Sequence, residues 1–377
     1  MTRAFRVGRV LGIDIEVDWT WFIIFVILAL ALSGGLLKDK LPGLGLPARW
    51  LLALVTTLLF FGSVLVHELA HSVVARRNGL GITGITLFIF GGVSKMADEP
   101  RSPGMELKIA IAGPAMSVVL SAVYFALAGV LGGLPGGKMF VTVFYYLGWV
   151  NGMLAAFNLL PGFPLDGGRV LRAGLWRGLG NLGEATRIAS YLGQGLGVLM
   201  ILFGFASLFG VFGRGGFGGV WMAFIGWFLI QAAQASYQQL MLKQALSGIP
   251  VSRIMTPEVV WIGAEATLEQ VVHDYVMAYN HPAFPVFDGG TALGLLCLSD
   301  IRSVPRERWP YTIAREIVPP LTAAHTIAPT ADAWEALLKI TSGSCGRLLV
   351  MAEGRMQGIV SRADIMRAMR MRVELGV

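Results

Sequence analysis

The sequence predicts a polytopic α-helical membrane protein, about six transmembrane helices with a membrane-associated β segment, followed by a soluble α/β pair of repeated units. Three observations carry this. Hydrophobic residues make up 55% of the 377-residue chain, charged residues 14%, and the mean hydropathy of +0.67 is far above that of an ordinary globular domain. Six apolar stretches reach the ~20 residues that a bilayer-spanning helix needs. From about residue 250 no further stretch of that length appears, and Pro, Asp and Glu become frequent.

The six stretches are residues 17–37, 50–75, 107–131, 140–160, 185–208 and 220–242. Trp19, Trp21, Trp50, Trp149 and Trp221 fall near their ends, where an aromatic belt belongs. Basic residues set the orientation. Arg3, Arg6 and Arg9 precede the first span, Arg76 and Arg77 follow the second, and Arg101 and Lys108 precede the third. Arg169, Arg172, Arg177 and Arg187 lie between the fourth and fifth. The opposite loops, 38–49, 132–139 and 211–219, carry fewer positive charges, so both termini are expected in the cytoplasm. An even number of spans requires the same. The net charge of +7 fits a cytoplasmic Lys/Arg bias rather than nucleic-acid binding. No small-residue cleavage site follows the first apolar run, so no cleavable signal peptide is expected. Cys297 and Cys345 are too few for a disulfide framework and give no sign of an oxidising compartment.

Residues 78–103 do not read as a spanning helix. "GITGITLFIFGGVSKM" mixes β-branched residues with glycine punctuation, the pattern of strands or a hairpin near the membrane surface. Backbone of this kind is tolerated at membrane depth only where protein or a wet cavity surrounds it.

The tail repeats itself at about 64 residues. "RIMTPEVVWI" at Arg253 echoes "EIVPPLTAAH" at Glu316, and "FPVFDGGTALGLLCLSDIRSV" at Phe284 echoes "LLVMAEGRMQGIVSRADIMRA" at Leu348. Each copy reads as a helix, then strand–turn–strand, then a second helix opening near Asp300 or Asp364.

The chemistry begins in the second span with "HELAH". On a helix, His67 and His71 stand one turn apart on one face. That spacing lets two imidazoles bind one Zn²⁺, with Glu68 beside them as general base. Two core histidines and a stray glutamate are the bland alternative, but each ionisable residue in a span costs about 2.5–3.5 kcal/mol on insertion scales. With Arg76 at the cytoplasmic interface, His71 lies about 7 Å and His67 about 13 Å deep. A catalytic zinc takes three protein ligands and a water. The other histidines, His273, His281 and His325, are scattered in the tail, so the third ligand is expected to be a carboxylate. Asp166 in "NLLPGFPLDGGRV" is the candidate, because Pro161 and Pro164 break the fourth span and let the chain fold back. Spacing alone leaves a second role open, since D-G-G is also a strong turn signal.

Together, His67-Glu68-Leu69-Ala70-His71 and Asn158-x-x-Pro161-x-x-Pro164-x-Asp166-Gly167-Gly168 resemble the motifs of the site-2 protease family of intramembrane zinc metalloproteases. The resemblance covers about residues 1–245. It implies that His67, His71 and Asp166 ligate one zinc, that Glu68 activates water, and that Asn158 contacts the substrate backbone or stabilises the oxyanion. It further implies that the substrate is a transmembrane segment of a membrane-anchored, regulatory protein. "FGGVSK" at Phe90 looks like the family's substrate-clamping strand, with Gly91 and Gly92 permitting close backbone approach. A helical substrate hides its carbonyls and must be unwound, and an edge strand near residues 88–93 could hold it by β-addition. "AGPAMS" at Ala112 resembles another family segment, but Ser117 stands where many members have Asn, so no polar role is expected of it.

The tail, as copies 250–310 and 311–377, resembles a tandem CBS-domain pair. Gly358-Ile359-Val360-Ser361-x-x-Asp364 matches that family's ribose-binding pattern, implying an adenine nucleotide (ATP, ADP or AMP) at Ser361 and Asp364. The first copy offers Asp300, with Cys297 where Ser or Thr is usual. A pair that binds nothing and only supports homodimerisation stays open. No Walker-type loop appears, so nucleotide hydrolysis is not implied. A CBS-regulated transporter or channel would explain the spans and the tail, but not a base placed between two histidines. A degenerate scaffold would not keep every chemical residue.

Overall fold

The structure is a computed structural model that describes residues 4–96, 99–134, 136–210, 217–343 and 345–375. The chain forms two compact units, dividing between Gln238 and Gln239.

Among the described residues, six helices are long and apolar enough to cross a membrane: Trp19–Lys40, Leu46–Arg77, Pro103–Gly132, Lys138–Asn158, Leu182–Leu208 and Gly218–Leu246. The predicted spans are therefore present, with shifted ends. The first begins at Trp19 because Val17 belongs to a strand, β2 (Ile13–Val17), while Asp18 caps the helix by accepting from Thr20 N–H at 2.9 Å. β2 pairs antiparallel with β1 (Phe5–Val10), so Arg6 and Arg9 are part of a hairpin, while Arg3 lies outside the described residues.

Helix α1 (Trp19–Gly34) continues as the short α2 (Leu36–Lys40), and α3 (Leu46–Arg77) carries the HELAH motif. The segment read as strands forms the hairpin β3 (Ile82–Phe88) and β4 (Gly91–Met96). β2 runs parallel to β3, giving one sheet in the order β1-β2-β3-β4 with β4 at an edge. Ile13, Ile15 and Ile85 on its buried face pack against Leu65 and Leu69 of α3, which lays the sheet along the flank of the histidine motif.

α4 (Pro103–Gly132) and α5 (Lys138–Asn158) follow. The loop after α5 holds a cis Phe163–Pro164 bond and leads into α6 (Asp166–Leu179). The D-G-G sequence thus opens a helix rather than a turn. A Cβ on Gly167 or Gly168 would strike the backbone of Leu159 or Gly162, so both glycines serve close packing of the helix start on its own preceding loop. α7 (Leu182–Leu208) and α8 (Phe217–Leu246) complete the helices.

The second unit contains the repeat. In the first copy, β5 (Ile262–Gly263), β6 (Ala283–Asp288) and β7 (Thr291–Cys297) form a sheet in that order. In the second, β8 (Thr326–Ile327), β9 (Arg347–Ala352) and β10 (Arg355–Ser361) form a sheet of order β10-β9-β8. Ala283, Leu295 and Cys297 of one copy share a core with Leu349 and Ile359 of the other. Cys297 and Cys345 form a disulfide across the two copies, their Cα atoms 5.7 Å apart, a pairing that nothing in their sequence spacing announced.

Candidate active site

The i, i+4 spacing of His67 and His71 on α3 turns both imidazoles to one face, and both are buried. Asp166, the first residue of α6, meets them. His67 Nε2, His71 Nε2 and Asp166 Oδ2 are each 3.2 Å from the other two. Three such atoms crowded together would repel or share a proton unless something binds between them. Ligands about 2.0–2.1 Å from a tetrahedral zinc stand about 3.3 Å apart, so the donor set fits that ion.

The ring orientations are fixed from behind. With each Nε2 turned inward as a lone-pair ligand, each Nδ1 carries the proton. His71 Nδ1 donates to the Ile109 carbonyl at 2.6 Å, and His67 Nδ1 to Ser117 Oγ at 2.9 Å. Both acceptors lie on α4. Ser117, from which no polar role was expected, is fully buried and acts on one of the motif histidines directly. Gly113, between these acceptors on α4, lies against both imidazoles, and a Cβ there would collide with both Nε2 atoms.

Glu68 lies in the same cavity, about 200 Å³ in volume, together with Asn158, Asp166, Gly92 and Arg169. Ser94 Oγ on β4 donates to Glu68 Oε2 at 3.0 Å and also stands 3.1 Å from Ser72 Oγ. Gly92 lies close against Glu68. A Cβ there would press 2.5 Å from Glu68 Cγ, so the glycine makes room for the glutamate of its own chain. Gly91 adopts φ 132°, a backbone that favours glycine.

α6 is tied to α4 by a buried ion pair that sequence reasoning did not find. Arg172 Nε donates to Glu106 Oε1 at 2.7 Å, with Glu106 fully buried. The same α4 that orients both histidines therefore also anchors the helix carrying Asp166.

In the second unit, Asp364 Oδ2 accepts from Ser361 N–H at 3.0 Å and Ser361 Oγ at 2.6 Å, and Asp300 Oδ2 accepts from Cys297 N–H at 2.8 Å. The three residues expected at a nucleotide site thus sit at equivalent strand-to-helix turns, each carboxylate capping its helix start.

Comparison with known proteins places the chain in a family. Residues 55–138 and 135–202 match peptidase family M50, and residues 251–307 and 314–371 match the CBS domain. A relative from Mycobacterium tuberculosis, Rip3, is 36% identical over 97% of this chain and 93% of its own length. The zinc metalloprotease MJ0392 of Methanocaldococcus jannaschii is 29% identical over 98% and 97%. A solved site-2 protease from the same archaeon is 31% identical, covering 62% of this chain and 94% of that one, with a TM-score of 0.44. The chain belongs to the site-2 protease-type zinc metalloproteases of peptidase family M50, as a multi-pass membrane protein carrying a tandem pair of CBS domains.

Proposed function

We propose that the chain hydrolyses peptide bonds within transmembrane segments of membrane-anchored regulatory proteins, with His67, His71 and Asp166 holding one zinc per chain and Glu68 as general base. The observation that carries this is the 3.2 Å triangle of two imidazole nitrogens and one carboxylate oxygen, sharing a cavity with Glu68. Bound there, zinc supplies Lewis acidity that polarises the scissile carbonyl and acidifies the attacking water. The chain's own groups do the rest. Glu68 takes the proton from water and returns it to the leaving nitrogen, while Ser94 holds one of its oxygens in place. Asn158, at the end of α5 and lining the cavity, contacts the substrate backbone. The outer edge of β4 accepts the unwound substrate as an added strand, which puts its carbonyls beside Glu68.

The protease domain spans about residues 1–245, and the CBS copies span 250–310 and 311–377, with both termini and the CBS pair in the cytoplasm. An adenine nucleotide bound by the CBS pair regulates the activity, and the pair supports a homodimer.

The test is Glu68→Gln in the purified, membrane-reconstituted chain. Cleavage is expected to fall by about 10²–10⁴ while zinc content stays that of the wild type. Near-normal cleavage would remove Glu68 from the mechanism, and wild-type protein that holds no zinc would remove the metal assignment.

A further inference from the structure

The cavity also holds a cation to which neither motif gives a role. Arg169 lies three residues after Asp166 on α6, close to the same face, and lines the cavity beside His67, Glu68 and Asn158. Its side chain is 17% exposed. Among the described residues its guanidinium makes one ion contact, Nε to Glu106 Oε1 at 3.9 Å, and no hydrogen bond. That carboxylate oxygen already accepts from Arg172, whose guanidinium also lies over the Phe163 ring at 5.0 Å. Arg172 thus ties α6 down, and Arg169 keeps its donors.

A guanidinium carries five N–H donors, and those of Arg169 open onto the cavity and are free to meet what enters it. Glu68, Asp166 and Glu106 surround it with negative charge, which keeps it in the cavity without satisfying its hydrogen bonds. A ligand oxygen entering the cavity can accept from those donors. Transmembrane segments rarely bring charged side chains with them, so the anion that appears in this cavity is the one that hydrolysis creates.

We propose that Arg169 is a catalytic residue, donating to the oxygen of the scissile carbonyl as negative charge develops on it. The proposal rests on the protease reading of the cavity. Water oxygen bonds to the carbonyl carbon, its proton passes to Glu68, and the carbonyl π pair moves onto the oxygen held by Arg169. Collapse of that oxyanion breaks the C–N bond, and the leaving nitrogen takes the proton back from Glu68. The acid proton then passes to the free amine, leaving an ammonium and a carboxylate. A donor fixed at a developing oxyanion contributes about 10²–10³ in kcat.

The experiment compares wild type, Arg169→Met and Arg169→Lys in the full chain, each with its zinc content measured. Two synthetic peptides of one apolar sequence serve as probes, one with an anionic phosphinate at the central bond and one with a neutral hydroxyethylene there. Arg169→Met is expected to lose at least about tenfold in affinity for the phosphinate and to bind the neutral peptide as wild type does. Arg169→Lys, which keeps the charge without the fork, should lose less, and it decides the matter if the methionine variant does not fold. Cleavage of a quenched apolar peptide should fall in kcat with KM unchanged, and added guanidinium salt should partly restore it to Arg169→Met. Equal loss for both probes, or no loss for either, overturns the role of Arg169 while leaving the protease reading intact. Wild type that binds neither probe and cleaves nothing overturns the protease reading itself.

Discussion

Ser117 Oγ and His67 Nδ1 stand 2.9 Å apart, joining α4 to α3 directly behind one of the candidate zinc ligands. The bond fixes which nitrogen of His67 is protonated and how far its ring turns. Partners of this kind are worth about 10–100-fold in metal affinity. Ser117→Ala should therefore weaken zinc binding by that factor, read by competition with a chelator. Ser117→Asn, which keeps an acceptor, should bind more tightly than Ser117→Ala. Equal affinity in Ser117→Ala and wild type would show that the hydroxyl merely fills space.

Gly113 makes room for both imidazoles. Gly113→Ala places a methyl where the two Nε2 atoms converge, so metal analysis should find the site emptied. Gly104→Ala, on the same helix but with open space around its Cβ position, should keep wild-type zinc. Loss of zinc in both would point to general damage to α4, not to a steric clash at the ligands.

The CBS pair provides a third expectation. Asp364→Asn keeps a helix-capping oxygen but removes the charge that ribose hydroxyls would bond. Calorimetry on the full chain with ATP, ADP and AMP should find binding to wild type and at least about tenfold weaker binding to Asp364→Asn, the scale of losing a charge-assisted hydrogen bond. A nucleotide can change cleavage only if it favours one arrangement of the tail over another. Binding without any effect on cleavage would end the regulatory proposal and leave the protease standing.

Much of this protein is local in sequence. A spanning helix needs only its own apolar residues, so the six spans were legible from composition along the chain. His67 and His71 share a face because 3.6 residues make a turn, whatever surrounds the helix. The hairpin of β3 and β4 announces itself through β-branched residues and the glycines that open its second strand. β1 and β2 did not, although Ile13, Ile15 and Val17 alternate with Asp14 and Glu16. The partner that makes β2 an interior strand is β3, with Asp14 aligned to Gly84, and no local pattern names a partner so distant.

What tertiary structure alone decided is the surroundings of the ligands. Asp-Gly-Gly is a turn by composition, and it is a helix start here because a neighbouring backbone occupies the space two Cβ atoms would need. Ser117, the Ile109 carbonyl and Gly113 matter only through the register in which α4 crosses α3. Arg169 reads as one more cytoplasmic-side cation until α6 folds back and carries it into the cavity. The sequence by itself determined which residues can bind and move protons, because that is a property of side chains and their helical spacing. Which groups orient them, and which cation lines their cavity, depended on packing between segments far apart in the chain.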